Sequence, residues 1–252
     1  TGMIVAFGNP VYDYIKTPNI TTGKRVLSGC STNGCLALAH LGHATTLVGR
    51  IGADFHDRFM ADTQQYGIAS AMQRCEQTGG FGLIYDECGE RTLDVLGIAA
   101  PIEQVPAITS QAEAIIVGPI LQETSLELIE QIHTMSDAPL FLDPQGLLRR
   151  VGRHGRIEHF CPAAFARVAP LCRVIKANEM ETEVITGINP RVDSAGALRG
   201  LKALGSEIAI MTLAEAGSLI DDGGRQYIVP AYATDARDPT GAGDTYMAGF
   251  IH

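Results

Sequence analysis

The amino-acid sequence predicts an α/β protein with a doubly wound, mostly parallel sheet that carries helices on both faces, plus a small β-sheet lid. Short apolar runs alternate with helical segments along most of the 252 residues, which is typical of parallel strands joined by crossover helices. The 28 glycines suit many tight strand-to-helix turns, and 46% hydrophobic residues are enough for one large core. Between about residues 68 and 98 a hairpin pattern replaces the alternation. We expect a single domain over residues 1–252.

The chain opens with a predicted buried strand, the apolar run Met3–Gly8, which stops at a Gly-Asn-Pro turn. Asp13 follows just past its end. Ligand crevices in open parallel sheets lie outside the carboxyl ends of the strands, so Asp13 is a candidate to bind a hydroxyl group. An Asp that stabilises the turn is the alternative. The pattern next predicts a helix over 31–42, a strand over 45–51 and a helix over 54–66.

Two segments do not fit the alternation of strands and helices. Residues 15–28 are polar and irregular, and residues 81–98 hold two short strand-like stretches around the turn Asp86–Glu90. We expect these segments to form a small sheet that stands off the main domain. Because an exposed hairpin edge invites pairing, a homodimer joined through this sheet is a further expectation.

Regular alternation resumes at residue 114 and continues to the end of the chain. The predicted strands cover 114–118, 139–143, 172–176 and 208–213, with two edge strands over 217–230. The predicted helices cover 123–135, 160–168, 178–187 and 193–204, and another begins after Asp244. This order favours parallel strand pairing with helices on both faces of the sheet.

The segment Asp238–Asp244 contains two glycines around an alanine and precedes an apolar run that predicts a buried helix. A small loop at a helix N-terminus points backbone N–H groups outward and can hold an anion such as a phosphoryl group. A carboxylate beside such an anion is unfavourable unless it takes a proton from an attacking hydroxyl. The sequence pattern alone leaves Asp244 open between that role and a helix cap.

Asn178 and Glu181 begin the helix that follows the predicted strand ending at Lys176. At this spacing both side chains can turn toward one crevice and order the waters of a Mg²⁺ ion. The same spacing is that of a capping box, in which the two side chains hydrogen-bond to each other's backbone N–H groups. Both interpretations remain open from the sequence.

The composition excludes several classes of function. A net charge of −9 argues against a nucleic-acid or acidic-membrane surface. The most basic stretch, 149–156, is a solvated loop or a phosphate or partner contact. Six cysteines without metal-site spacing predict free thiols, and with no signal-like or membrane-like segment we expect a cytoplasmic protein. P-loop and dinucleotide-binding glycine motifs are absent, which argues against P-loop enzymes and nicotinamide-dependent oxidoreductases.

Several motifs together resemble the ribokinase-like (PfkB) carbohydrate kinases, in family order over residues 4–250. The segment 238–244 resembles the family's C-terminal D-T-x-G-A-G-D signature, and 28–54 resembles its N-terminal G-G-x-x-x-N signature. The N-x-x-E motif matches Asn178 and Glu181. The weaker matches are Asp143-Pro144-Gln145, the T-L-G-x-x-G-like turn 212–217, and Gly89-Glu90-Arg91-Thr92 of the hairpin.

The resemblance implies transfer of the ATP γ-phosphoryl group to a hydroxyl of a sugar or polyol. Asp244 would be the general base, and N–H groups of Gly241, Ala242, Gly243 and Asp244 would stabilise developing charge. Asp13, Gly29 and Asn33 would bind the substrate, and Thr212 and Gly217 would line the nucleotide site. Asn178 and Glu181 would position Mg²⁺ through water, while segments 15–28 and 81–98 would form a lid that excludes water.

Some positions depart from the family pattern. Ser28 replaces a glycine and Cys30 adds bulk beside the expected sugar pocket, and Ala214 replaces a glycine of the nucleotide turn. Because the sequence stops at His252, eight residues after Asp244, we expect either a version truncated at the C-terminus, without the elements that wall the adenine site, or a chain whose true C-terminus lies further on. The alternative functions are a nucleoside kinase of the same family and a catalytically weak sugar-binding or regulatory homologue.

Overall fold

The computed structural model describes residues 2–85, 91–235 and 238–252, without the side chain of Arg91. In these residues the strands are β1 (Met3–Phe7), β2 (Val11–Lys16), β3 (Val26–Ser28), β4 (Ala44–Gly52), β5 (Ala69–Cys75), β6 (Gly80–Tyr85), β7 (Arg91–Gly97), β8 (Ala112–Val117), β9 (Leu140–Leu142), β10 (Arg149–Val151), β11 (Ile157–His159), β12 (Val174–Asn178), β13 (Ile208–Thr212), β14 (Ser218–Asp221) and β15 (Gln226–Val229). The helices are α1 (Cys30–His40), α2 (His56–Tyr66), α3 (Leu126–Met135), α4 (Phe165–Val168), α5 (Glu179–Thr186), α6 (Ser194–Lys202) and α7 (Ala242–Ile251).

The main sheet has the strand order β15-β14-β13-β12-β9-β8-β1-β4-β5. The seven strands from β13 to β5 pair in parallel, and β14 and β15 extend the edge antiparallel. The order turns back on itself around β1, so the crossovers place helices on both faces. The predicted doubly wound, mostly parallel sheet is confirmed.

Alternate residues of β1 mark the two faces of the main sheet. Val5 and Phe7 belong to one buried cluster, which includes residues of α3, α4 and α6, and α5 packs against it. Ile4 and Ala6 belong to the other cluster, with residues of α1, α2 and α7. Side chains alternate between the faces of a strand, so one apolar strand supports both cores.

The small sheet, defined here as β3-β2-β6-β7, stands apart from the main sheet. β2 pairs with β3 and β6 with β7 antiparallel, whereas β2 and β6 are parallel. Its inner side has its own apolar cluster, which includes Val11, Phe81, Leu83 and Ile120. The expected second sheet is therefore present, and it begins at Val11, earlier than the expected start at residue 15. The expected turn 86–90 lies outside the described residues.

Other expectations need correction. Asp13 lies inside β2 and does not follow the end of β1. The strand β5 was not predicted, because its mixed polar sequence lies at the sheet edge, where alternation is weak. The helix expected over 160–168 shortens to Phe165–Val168, between Pro162 and Pro170, which lack the N–H that a helix interior needs.

The basic stretch 149–156 also differs from the expected solvated loop. β10 and β11 pair antiparallel and make it a hairpin, in which Arg149 is buried. The five cysteines in the described part of the chain are free, and Cys88 lies outside it. Among the described residues, no helix has the length and apolar character needed to cross a bilayer.

Candidate active site

A cavity of about 640 Å³ lies where the carboxyl ends of the parallel strands face the small sheet. Its wall includes Asn178 and Thr212 at the ends of β12 and β13, and Phe81 and Leu93 of the small sheet. The structure brings all the candidate residues of the sequence to this one cavity: Asp13, Gly29, Asn33, Asn178, Glu181, Thr212, Gly217, Gly241, Ala242, Gly243 and Asp244.

The loop before α7 ends at Gly241, whose φ of 78° and ψ of 3° lie in the left-handed region that favours glycine. Asp244 lies in the first turn of α7, and among the described residues no side-chain hydrogen bond caps the N-terminus of this helix. Instead, Nδ2 of Asn33 on α1 donates to Oδ2 of Asp244 at 2.8 Å. The helix-cap interpretation of Asp244 is therefore wrong: its carboxylate is held by another helix and lines the cavity.

Electrostatic surroundings raise the pKa of Asp244 to about 6. The largest cause is burial, and the second is the carboxylate of Asp143. Lys176 and the Asn33 hydrogen bond act in the opposite direction. The carboxyl group thus remains mostly ionised at neutral pH, yet accepts a proton more readily than an exposed aspartate does.

Asp143 and Lys176 form a buried ion pair that the sequence reading did not identify. Nζ of Lys176 lies 2.6 Å from Oδ2 of Asp143, and the two side chains are 3% and 4% exposed. A lysine inside the apolar strand Val174–Asn178 was the available signal, because a buried lysine needs a partner. Cys30 adjoins the pair: its Sγ and carboxylate oxygens of Asp143 and Asp244 lie within 4.8 Å of one another.

Asn178 and Glu181 form the capping box that the sequence left open. The Asn178 side chain accepts from the Glu181 N–H, and Glu181 Oε2 accepts from the Asn178 N–H, both at 2.9 Å. Burial first, and then Asp143, raise the pKa of Glu181 to about 7. In the described part of the chain, no recorded hydrogen bond uses Glu181 Oε1. One carboxylate oxygen at the cavity wall can thus accept from a metal-bound water.

The small-sheet side of the cavity carries polar groups that can hold hydroxyls. Asp13 is buried and accepts the Phe81 N–H at 2.8 Å. Burial raises the pKa of Asp13 to about 6, against the opposing effects of that hydrogen bond and of Ser28. Arg149, 4% exposed, lines the same cavity and donates from Nη2 to Gln145 Oε1 at 3.1 Å. Its position in a basic stretch gave no sign that one arginine is buried.

At the other end of the cavity, Thr212 closes β13 and Gly217 follows the turn after it. Ala214, in that turn, has a φ of 47°, in the left-handed region that costs a non-glycine residue energy. Ala214 therefore carries a Cβ at a backbone position that favours glycine. Ser218 Oγ and Tyr246 Oη lie 2.7 Å apart and both line the wall.

The sequence profile described as pfkB family carbohydrate kinase matches residues 3–252. The chain belongs to this family. It is therefore a kinase of the ribokinase type, and its relatives act as sugar or nucleoside kinases on small molecules.

Individual pfkB relatives agree with this assignment. A cytidine kinase from Thermococcus kodakarensis is 26% identical over 265 residues, covering 98% of this chain and 87% of the relative. A ribokinase from Haemophilus influenzae is 22% identical, covering 88% and 72%. A solved pyrophosphate-dependent kinase in the ribokinase family, complexed with a pyrophosphate analog and myo-inositol, has a TM-score of 0.83 at 20% identity, covering 98% of this chain and 86% of that one. The structural likeness shows the ribokinase-like fold.

Proposed function

We propose that this pfkB kinase transfers the γ-phosphoryl group of ATP to a hydroxyl of a sugar or polyol, assisted by Mg²⁺, with Asp244 as the general base. The observation that carries the proposal is the placement of Asp244 in the first turn of α7, held by Asn33 and facing the cavity. An anion at a helix N-terminus and an ionised carboxylate beside it fit phosphoryl transfer to a hydroxyl.

Asp244 would take the proton of the attacking hydroxyl. Its raised pKa favours proton acceptance, and Asn33 fixes one carboxylate oxygen, so the other can face the acceptor. The N–H of Ala242 is already engaged by the Pro239 carbonyl at 3.2 Å. Most of the stabilisation of the phosphoryl oxygens would come from the N–H groups of Gly241, Gly243 and Asp244. These groups lie at the N-terminus of α7, where an α-helix has no hydrogen-bond partners of its own for them.

The acceptor would lie between Asp244 and the small sheet. Asp13 and Asn33 offer acceptor and donor groups for hydroxyls, and Gly29, whose φ is 121°, lines the same wall just before α1. A nucleoside is the second candidate acceptor. Phe81, Leu83 and Leu93 give this side of the cavity an apolar wall suited to a base, and one relative is a cytidine kinase.

Thr212 and Gly217 would line the nucleotide end of the cavity. Asn178 and Glu181 would hold Mg²⁺ through its waters, and Glu181 Oε1, which accepts no hydrogen bond from the described residues, fits that arrangement. When bound, the metal would neutralise phosphate charge. ATP is the donor we propose, although the polyol-bound neighbour is pyrophosphate-dependent, so both donors belong in the test.

We also propose a homodimer joined through the small sheet. Its outer side exposes Ile84 and Leu96, which are 39% and 41% exposed, and β7 is an edge strand. Part of this edge is already covered, because Asp94 makes a backbone bridge to Arg156. Sedimentation equilibrium of the wild type and Leu96→Asp tests the dimer: a monomeric variant beside a dimeric wild type supports it, and a monomeric wild type contradicts it.

The test of function is turnover by the wild-type protein across sugars, polyols and nucleosides, with ATP or pyrophosphate as donor and with or without Mg²⁺. We expect acceptor-dependent release of ADP with at least one sugar or polyol, and mass spectrometry of the product should find one added phosphoryl group. Donor hydrolysis without acceptor is the background control. Turnover of nucleosides alone favours the second candidate, and absence of turnover with every pair contradicts the proposal.

A further inference from the structure

Lys176 is a charged residue of the cavity wall to which the motif resemblance assigns no role. Lys176 lies in β12, and its side chain is 3% exposed. It lines the cavity together with Asp244. A Cβ added at Gly243 would lie only 2.8 Å from Nζ. The ammonium group therefore sits directly against the backbone of residues 241–244, where the loop meets the first turn of α7. Glycine at position 243 allows this approach, because any side chain there would push the ammonium away.

The charges around Lys176 are mostly negative. The described residues of the cavity wall include five carboxylates, Asp13, Asp143, Glu179, Glu181 and Asp244, against two cations, Arg149 and Lys176. Nζ of Lys176 lies 2.6 Å from a carboxylate oxygen of Asp143, and a buried lysine paired in this way with an acid stays ionised. Lys176 therefore keeps its positive charge. A phosphoryl donor that carries several negative charges must enter this acidic site. A fixed cation beside residues 241–244 would offset the repulsion between the donor and the carboxylates.

The partner of Lys176 is held in place by the end of β9. Asp143 follows that strand directly, is 3% exposed, and its Oδ2 fixes Nζ at 2.6 Å. The backbone N–H of Asp143 donates to the carbonyl of Val117 at 3.0 Å, and its Oδ1 accepts the Gln145 N–H at 3.3 Å. The ammonium is thus oriented before any ligand binds, which is what electrostatic stabilisation of a transition state requires.

We infer that Lys176 is a further catalytic residue, whose ammonium contacts the phosphoryl group in transfer at the loop 241–244, while Asp143 positions it. This inference rests on the proposed function. The competing interpretation is that Lys176 only neutralises the buried charge of Asp143. A purely structural ion pair can be replaced by uncharged groups at little cost, whereas a catalytic cation cannot.

Two sets of variants separate these interpretations. Lys176→Met leaves Asp143 buried without its cation, so a lower unfolding temperature is expected on either interpretation. Asp143→Asn/Lys176→Met removes both charges, and Lys176→Gln keeps an amide that can donate to Asp143. We expect both to recover most of the unfolding temperature yet to lower kcat at least about 100-fold, with little change in the acceptor KM. Asp143→Asn alone, which keeps the ammonium, should retain more activity than the double variant.

A binding readout distinguishes failure of this inference from failure of the proposed function. The probe is inorganic phosphate added without Mg²⁺, and the control is sodium chloride at the same ionic strength. Phosphate should raise the unfolding temperature of the wild type but not that of the double variant or of Lys176→Gln. Loss of kcat together with loss of this shift supports the inference. Wild-type-like kcat in the double variant, or an unchanged phosphate shift, overturns it, even where the wild type phosphorylates no tested acceptor.

Discussion

The hydrogen bond from Asn33 to Asp244 should set the pH at which the kinase becomes active. A general base works only when ionised, so kcat/KM, which reports the ligand-free enzyme, should rise with pH through the pKa of Asp244, which is about 6. The Asn33 donor, 2.8 Å from the carboxylate, lowers the pKa of Asp244. Asn33→Ala removes this donor, so the pKa of Asp244 should rise. A hydrogen bond to a charged group contributes about 1.5 kcal/mol, equal to roughly one pKa unit.

We therefore expect the acid limb of the kcat/KM profile to move up by about one pH unit in Asn33→Ala. At pH 6 the ionised fraction of Asp244 would fall from about one half to about one tenth, while at pH 8 the two proteins would differ little from this cause. The assay is kcat/KM for the acceptor between pH 5 and 9. Asn33 also lines the acceptor end, so its loss will lower kcat/KM at every pH, and the position of the limb is the quantity compared.

Asp13 supplies the matched control, because burial also raises its pKa to about 6. Asp13→Asn removes that titrating group and leaves the Asn33–Asp244 contact intact. Its kcat/KM profile should keep the limb near pH 6. A limb that stays in place in Asn33→Ala, or one that vanishes in Asp13→Asn, would refute the assignment of the limb to Asp244.

Three further changes probe the loop, the metal site and the turn. Gly243→Ala places a Cβ 2.8 Å from Lys176 Nζ and so displaces the ammonium group. In steady-state assays kcat should therefore fall at least about 100-fold, and a near-normal kcat would contradict the close packing. Glu181→Gln keeps the capping hydrogen bond but removes the charge, so the unfolding temperature should not change. The Mg²⁺ concentration that gives the half-maximal rate should rise about 10-fold or more, and an unchanged Mg²⁺ requirement would argue against the metal role. Ala214→Gly relieves a left-handed φ of 47° and should raise the free energy of unfolding by up to about 1 kcal/mol in denaturant titrations, whereas destabilisation would show that the turn is not strained.

Local patterns were sufficient to predict much of this molecule. The alternation of apolar runs and capped helices predicted the parallel sheet, and glycine chemistry predicted the turn before α7, where Gly241 has a φ of 78°. The spacing of Asn178 and Glu181 allowed a capping box beside a metal site, and the hydrogen bonds show that the box forms. These features depend on residues close together in the sequence, so propensity and spacing describe them well.

Features that depend on long-range packing were not predictable in the same way. Asn33 and Asp244 are 211 positions apart, and their contact exists only because α1 packs beside α7. The buried pair of Asp143 and Lys176 joins two neighbouring strands, and no local pattern specifies which acid a buried lysine meets. Arg149 lies in a basic hairpin whose fold turns one guanidinium inward, and composition alone could not show which arginine of the stretch is buried.

The central claim, that Asp244 is the base of the transfer, is tested most directly by kcat of Asp244→Asn with the best acceptor at pH 8. Asparagine has nearly the same shape and can still accept from Asn33, so the unfolding temperature and acceptor binding should change little. Because the amide cannot take the hydroxyl proton, kcat should fall by a factor of about 100 to 10,000. Turnover within about threefold of the wild type, in a folded variant, would contradict the account.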